Sequence, residues 1–408
     1  MKHILLSIIY FLCLLLIPRH VLAAPFQNDF QNITWDYHLI FKTIDVPPPS
    51  AAPNSTIHSI YSPSVIKYNG KFFMLFGVAV NCNIYRDSIA LATSPDGLNW
   101  TFDKFLIEPD PLTCQLNWGS WPIGMQYQTN SPEINIIKDN GYDRFLVLFD
   151  SVLWKSPVDN QSMTSPVECN NIGVAIFDTD FNLLFRNNKY LATDEQNCKK
   201  TIEGFKSPAF QWLSPVHAKL WFDKLGHPGH TSITSLTQLP YPPTPTYDSF
   251  VGGDLNFPPL SYTNDLVLYG WGELGPTITA RSRVKGDAWS SPWTFLPRSG
   301  QSWDLDRQGS PSLYLDKESC TLKLYYSGNA GYDASTVDNQ RLAIGVAIPK
   351  GDHQFHFDNC TTSSSMPGDL NGDGKVNVYD FVKLLNGFNT IYSADDFSTL
   401  LLNYGKQI

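Results

Sequence analysis

Apolar and polar positions repeat in one pattern five times along the chain. In each instance a proline opens an apolar strand, a turn follows, and a second strand alternates aromatic with aliphatic residues. The first two instances are Ser62-Pro63-Ser64-Val65-Ile66 with Phe72-Phe73-Met74-Leu75-Phe76, and Ser131-Pro132-Glu133-Ile134-Asn135 with Arg144-Phe145-Leu146-Val147-Leu148-Phe149. Ser207-Pro208-Ala209-Phe210 with Ala218-Lys219-Leu220-Trp221-Phe222 and Phe257-Pro258-Pro259-Leu260 with Leu266-Val267-Leu268-Tyr269 come next. The last is Ser310-Pro311-Ser312-Leu313-Tyr314 with Leu322-Lys323-Leu324-Tyr325-Tyr326. A third strand of small and aliphatic residues follows each, at 88–92, 172–175, 231–234, 277–280 and 344–347, and fourth strands such as Trp100-Thr101-Phe102 are weaker. Repeats of 50 to 76 residues with three or four strands each predict an all-β domain, a five-bladed β-propeller, over residues 24–360. A sandwich with long loops is the competing arrangement of the same strands.

A propeller puts the entry to each first strand and the loop between strands two and three on one face. Residues 78–87, 151–171 and 328–341 are read as long loops there, whereas Ser94-Pro95-Asp96-Gly97 reads as a tight turn on the other face. Binding residues collect on such loops.

Composition fits a large folded core: 42% of residues are hydrophobic and 16% charged. The net charge of −9 lacks the basic stripe a nucleic-acid partner requires. Aromatics reach 13% with 11 Trp, which suits stacking on sugar rings as well as packing between strands. Met1-Lys2-His3, the apolar run Ile4 to Ile17 and the small residues near Ala23 read as a signal peptide over 1–23, so the chain is expected to be secreted with no membrane span after its removal.

Without the leader's Cys13, six cysteines remain: Cys82, Cys114, Cys169, Cys198, Cys320 and Cys360. An even number in an oxidising compartment implies disulfides, and six cysteines permit 15 pairings. Nearest-neighbour pairs are expected, with Cys82–Cys114 and Cys169–Cys198 stapling the loop face and Cys320–Cys360 locking the end of the domain. No close Cys-x-x-Cys pair is present for zinc. His227-Pro228-Gly229-His230 reads as an exposed turn, and Asn32, Asn54, Asn99, Asn160 and Asn359 head glycosylation-acceptor triplets.

Ser131-Pro132-Glu133, together with Glu203-Gly204 ahead of Ser207-Pro208, resembles the arabinanase and β-xylosidase family of five-bladed glycoside hydrolases over roughly residues 55–350. The resemblance implies hydrolysis of glycosidic bonds by carboxylates at the centre of the propeller. It implies Glu203 as proton donor and Glu133 as the acidic residue that raises the donor's pKa by charge repulsion. The family's base, an Asp just ahead of the first-blade Pro, is replaced by Ser62, and no Asp or Glu occurs from Val46 to Arg86. Asp87 is the nearest substitute in sequence, with a salt bridge to Arg86 as its other role. The activity expected is therefore glycoside hydrolysis on an oligo- or polysaccharide. The alternatives are a carbohydrate-binding propeller without catalysis and an adhesion or scaffold protein.

Residues 361–366 form a polar linker, and 367–408 a separate module. Asp369-Leu370-Asn371-Gly372-Asp373-Gly374-Lys375-Val376-Asn377-Val378-Tyr379-Asp380 places oxygen ligands at the positions of a calcium loop: Asp369, Asn371, Asp373, the Lys375 carbonyl, Asn377 and Asp380, with Gly374 at the sharp turn. Asp380 in place of Glu, with Phe381, Leu384 and Leu385 following, resembles a dockerin. Asp396-Phe397-Ser398-Thr399-Leu400-Leu401 repeats the helix phrase without a second loop, so one Ca2+ is expected. The resemblance implies a cohesin-like partner through Val378 and Tyr379; a calcium-stiffened appendage is the alternative.

Overall fold

The computed structural model describes residues 26–50, 52–81, 85–110, 114, 125–155, 167–191, 205–214, 217–224, 227–233, 246–247, 253–261, 264–270, 274–317, 319–329, 342–351, 355, 357, 370, 376–387 and 394–405. Five antiparallel four-stranded sheets make up the blades of a propeller. Blade 1 runs β2 (Thr56–Tyr68), β3 (Lys71–Asn81), β4 (Tyr85–Ser94) and β5 (Thr101–Ile107). Blade 2 follows as β6 (Gln126–Asp139), β7 (Tyr142–Lys155), β8 (Val167–Phe177) and β9 (Leu183–Leu191). Blade 3 is β10 (Lys206–Ser214), β11 (His217–Lys224), β12 (His227–Ile233) and β13 (Thr246–Tyr247), and blade 4 is β14 (Gly253–Asn256), β15 (Asn264–Gly270), β16 (Ile278–Val284) and β17 (Trp293–Leu296).

Blade 5 takes only three strands from its own stretch of chain: β18 (Arg307–Asp316), β19 (Thr321–Asn329) and β20 (Leu342–Pro349). Its outer strand is β1 (Trp35–Phe41), which pairs antiparallel with β20 from Trp35 opposite Pro349 to Phe41 opposite Ile344. The two ends of the propeller sequence thus close the ring in one sheet. Helix α1 (Gln27–Gln31) precedes β1 and buries Phe30 against Phe295 at a centroid distance of 4.6 Å.

The sequence has apolar residues at successive positions in the second strands because each blade is covered on both faces. Along β7, Phe145, Val147 and Phe149 pack toward blade 1, while Leu146 and Leu148 pack toward blade 3. Period-two alternation sends these sets to opposite faces. Each of the five gaps between blades holds its own buried cluster. The 94–97 turn adds a polar tie. Asp96 accepts from the Leu98 and Asn99 amides at 2.8 Å, holding its carboxyl well below the usual range, and Tyr325 of blade 5 donates to the Gly97 carbonyl at 3.0 Å.

The structure corrects three sequence expectations. Strands β3 and β4 extend through most of 78–87, and β7 and β8 take both ends of 151–171, because their inward faces stay buried. The stretch His227 to His230 lies in β12 instead of an exposed turn; a Cβ on Gly229 would stand 2.7 Å from the Phe222 ring, so glycine serves close packing. His230 packs on Trp221 at 4.6 Å, and burial pushes its pKa down to about 4. The inner strand of blade 4 is β14, ahead of Phe257-Pro258-Pro259-Leu260. Pro258 and Pro259 carry no N–H for a sheet ladder and lie after the strand.

Among the described residues no helix is long and apolar enough to cross a membrane. In the C-terminal module, α2 (Val378–Gly387) and α3 (Ala394–Asn403) pack through Val376, Leu384 and Leu400, with Phe381 and Phe397 5.9 Å apart.

Candidate active site in the central channel

The inner strand of every blade carries the same irregularity. The register with the second strand slips between Tyr61 and Ser64, Asn130 and Glu133, Lys206 and Ala209, Gly253 and Asn256, and Gly309 and Ser312. Within each slip one residue takes a left-handed backbone conformation: Ser62 (φ 51°), Ser131 (46°), Ser207 (50°), Asp254 (51°) and Ser310 (47°). A β-bulge of this kind re-aims a side chain. Here the five re-aimed residues, with Pro63, Pro132, Pro208, Leu255 and Pro311 beside them, line one cavity in the middle of the ring. Glu133 shares that cavity.

Hydrogen bonds link the bulge residues around the channel. Ser62 Oγ donates to Ser310 Oγ at 3.1 Å, and Ser310 Oγ donates to Asp254 Oδ2 at 2.6 Å. From the other side Ser207 Oγ donates to Asp254 Oδ1 at 2.7 Å, while the Ser207 amide donates to Asp150 Oδ1, also at 2.7 Å. Asp150 is buried, and burial pushes its carboxyl well above the usual range; the Ser207 amide opposes the shift and the Asp254 charge adds to it.

Two residues beyond the bulge in blades 1, 4 and 5, polar side chains tie neighbouring blades together, and Ala209 holds this place in blade 3. Ser312 Oγ accepts from the Val65 amide at 3.1 Å, Ser64 Oγ from the Ile134 amide at 3.0 Å, and Asn256 Oδ1 from the Leu313 amide at 3.1 Å. Glu133 occupies this position in blade 2, where Ser64 Oγ donates to its Oε2 at 3.2 Å. Burial pushes its pKa up to about 8 against the donors Ser64 and Asn135.

Asp87, expected at the end of a loop, lies inside β4 and is buried. Its Oδ2 accepts from Asn130 Nδ2 at 3.1 Å, and the Tyr61 hydroxyl bonds to it; Tyr61 is pushed well above the ordinary phenol range by burial and then by the Asp87 charge. Gly77 makes room for that ring, since a Cβ there would stand 2.7 Å from it. Arg86 faces the other way and donates to Glu108 Oε2 at 3.1 Å, as successive strand residues point to opposite faces. Glu203 lies outside the described residues, four positions ahead of Ser207.

Sequence reading missed Asp254 and Asp150. The signal for Asp254 was its place in the repeat: the bulge residue of the inner strand of blade 4, with Leu255 standing where the other blades have Pro.

In the C-terminal module, Asp380 is fully buried and accepts from the Leu370 and Asn377 amides at 2.8 Å each, while Asn377 Oδ1 caps α2 by accepting from the Tyr379 amide at 2.8 Å. Asp369, Asn371, Asp373 and Lys375 lie outside the described residues, as do Cys82, Cys198 and Cys360, so each of the three expected cysteine pairs has one member outside them.

The fold and channel define a five-bladed β-propeller whose polar site is built from the inner strands. Among solved structures it is similar to the catalytic domain of a GH62 α-L-arabinofuranosidase from Coprinopsis cinerea, at TM-score 0.51 and 13% identity over 78% of this chain and 97% of that one. It is also similar to an α-L-arabinofuranosidase from Podospora anserina in complex with cellotriose, at TM-score 0.50 and 14% identity over 78% and 98%. The likeness is one of fold. No family model and no curated protein matches the chain.

Proposed function

We propose that the protein hydrolyses glycosidic bonds of an oligo- or polysaccharide at the central channel. The observation that carries the reading is the shared cavity of two channel carboxyls, Asp254 and Glu133, the latter with its pKa pushed up to about 8 by burial. Glycosidic cleavage requires this division, one carboxyl protonating the leaving oxygen while an ionised one acts on water or on the sugar. The fold's likeness to arabinofuranosidases supports a saccharide substrate. Glu133 is the donor in this reading; Glu203, in the segment that leads into β10, is the second carboxyl to test.

The deciding experiment is hydrolysis of a broad panel of natural oligosaccharides and of aryl glycosides with good leaving groups. Glu133→Gln should lose roughly a hundredfold or more on the natural glycans and much less on activated aryl glycosides, which need no proton. If Glu203→Gln shows that selective loss and Glu133→Gln does not, the donor is Glu203. Wild-type protein that binds oligosaccharide and cuts nothing on the panel establishes the other reading, a carbohydrate-binding propeller, which the serine in place of a first-blade acid favours.

The leader 1–23, the six remaining cysteines and the module complete a secreted protein in this reading. The donor set of the C-terminal loop, hard oxygens ending in the buried Asp380, fits Ca2+. The ion would order the loop from Asp369 to Asp380 and leave exposed Val378 and Tyr379 on α2 for a cohesin-like partner. Amino-terminal sequencing of exported protein should begin near Ala24.

A further inference from the structure

We propose that Asp254 is the general base of the channel, the carboxyl group that takes a proton from the attacking water. The inference rests on the hydrolytic reading above and gives it the partner that the first blade does not supply.

The near-fivefold repetition of the bulge carries the argument. Five inner strands offer five equivalent positions to one cavity, and four of them hold serine. A carboxylate at any one of the five faces the same axial space, so blade 4 can provide what blade 1 lacks. Asp254 is held as a base must be. Each oxygen accepts one serine hydroxyl, from Ser207 at 2.7 Å and Ser310 at 2.6 Å, and the Ser62 hydroxyl backs Ser310. A carboxylate has about four lone-pair sites, so with these partners among the described residues each oxygen keeps one for water. The side chain is half-buried, and the cavity it lines also holds the Glu133 carboxyl. Asp87, by contrast, is buried on Asn130 and Tyr61, two groups that position it within blades 1 and 2.

In the step itself the water oxygen bonds to the anomeric carbon and one water proton passes to Asp254. The bond from that carbon to the leaving oxygen breaks, and the donor's proton goes to the leaving oxygen. Atoms and charge balance without a further reactant.

Asp254→Ser is the natural test, because serine already stands at this backbone conformation in the other four blades. The variant should unfold near the wild-type temperature and bind oligosaccharide as before. Its turnover should fall by about a hundredfold or more. Azide, which attacks without a proton to lose, should restore turnover and yield a glycosyl azide. Asp87→Asn should stay within a few-fold of wild type. Asp254→Ser that hydrolyses like wild type, or that loses activity with no azide product, overturns the assignment while leaving the hydrolytic reading in place. Wild-type protein inactive on the whole panel removes the reaction, and the base with it.

Discussion

Ser64 on the first blade and Glu133 on the second meet across the seam between them, the hydroxyl donating to the carboxyl at 3.2 Å while accepting the Ile134 amide at 3.0 Å. One side chain therefore joins two blades and addresses the channel carboxyl of Glu133. Ser64→Ala should leave the Ile134 amide unpartnered in a buried place and destabilise the fold by roughly 1–3 kcal/mol, read by urea unfolding. Unchanged stability would mean that another acceptor reaches that amide.

Glu133 gives stability a pH dependence of definite sign. Its folded pKa of about 8 lies above the ordinary 4.5, so between those values the folded state holds a proton that the unfolded state has released. The contribution is complete below about pH 4.5 and is lost as pH rises through about 8. Glu133→Gln should flatten this part of the curve and unfold at a higher temperature than wild type above pH 8. Thermal scans of both proteins at pH 5 and pH 9 check it. A parallel decline in the two would place the titrating group elsewhere, with Asp150 next in line because burial raises its carboxyl too.

Calcium titration of the full chain should give one site. Asp373→Ala should weaken it by at least about tenfold, since a calcium loop's affinity follows its charge and ligand number. Asp380→Ala should remove binding and also loosen the α2–α3 pair, because its carboxyl holds the Leu370 and Asn377 amides. Two equivalent sites by calorimetry would reinstate a second loop.

Peptide mapping without reductant should recover Cys82 with Cys114, Cys169 with Cys198 and Cys320 with Cys360. A bridge between blades, such as Cys82 with Cys198, would refute the expectation that each staple stays beside its own blade.

Blades 1, 2, 3 and 5 were legible in the sequence because their bulges share a Ser-Pro phrase, with the serine at positive φ and the proline fixing the chain that follows. Blade 4 hid for a local reason: Leu255 replaces the proline, and the Pro258-Pro259 pair just beyond mimics the phrase. The error of three residues concealed Asp254. Strand β1 left no trace in the repeat since its partner is more than 300 residues away, and no local pattern encodes that pairing. The raised pKa of Glu133 was also beyond reach, because it arises from burial that exists only in the folded chain.

The strand shared by the two ends of the propeller sets an order on folding. Blades 1 to 4 can form in turn as the chain leaves the ribosome, each from neighbouring strands. Residues 35–41 must wait with an unsatisfied ladder until 342–349 arrive. Such late, distant pairing is slow, and it makes the last blade the step at which the ring either latches or offers its open edge to another chain.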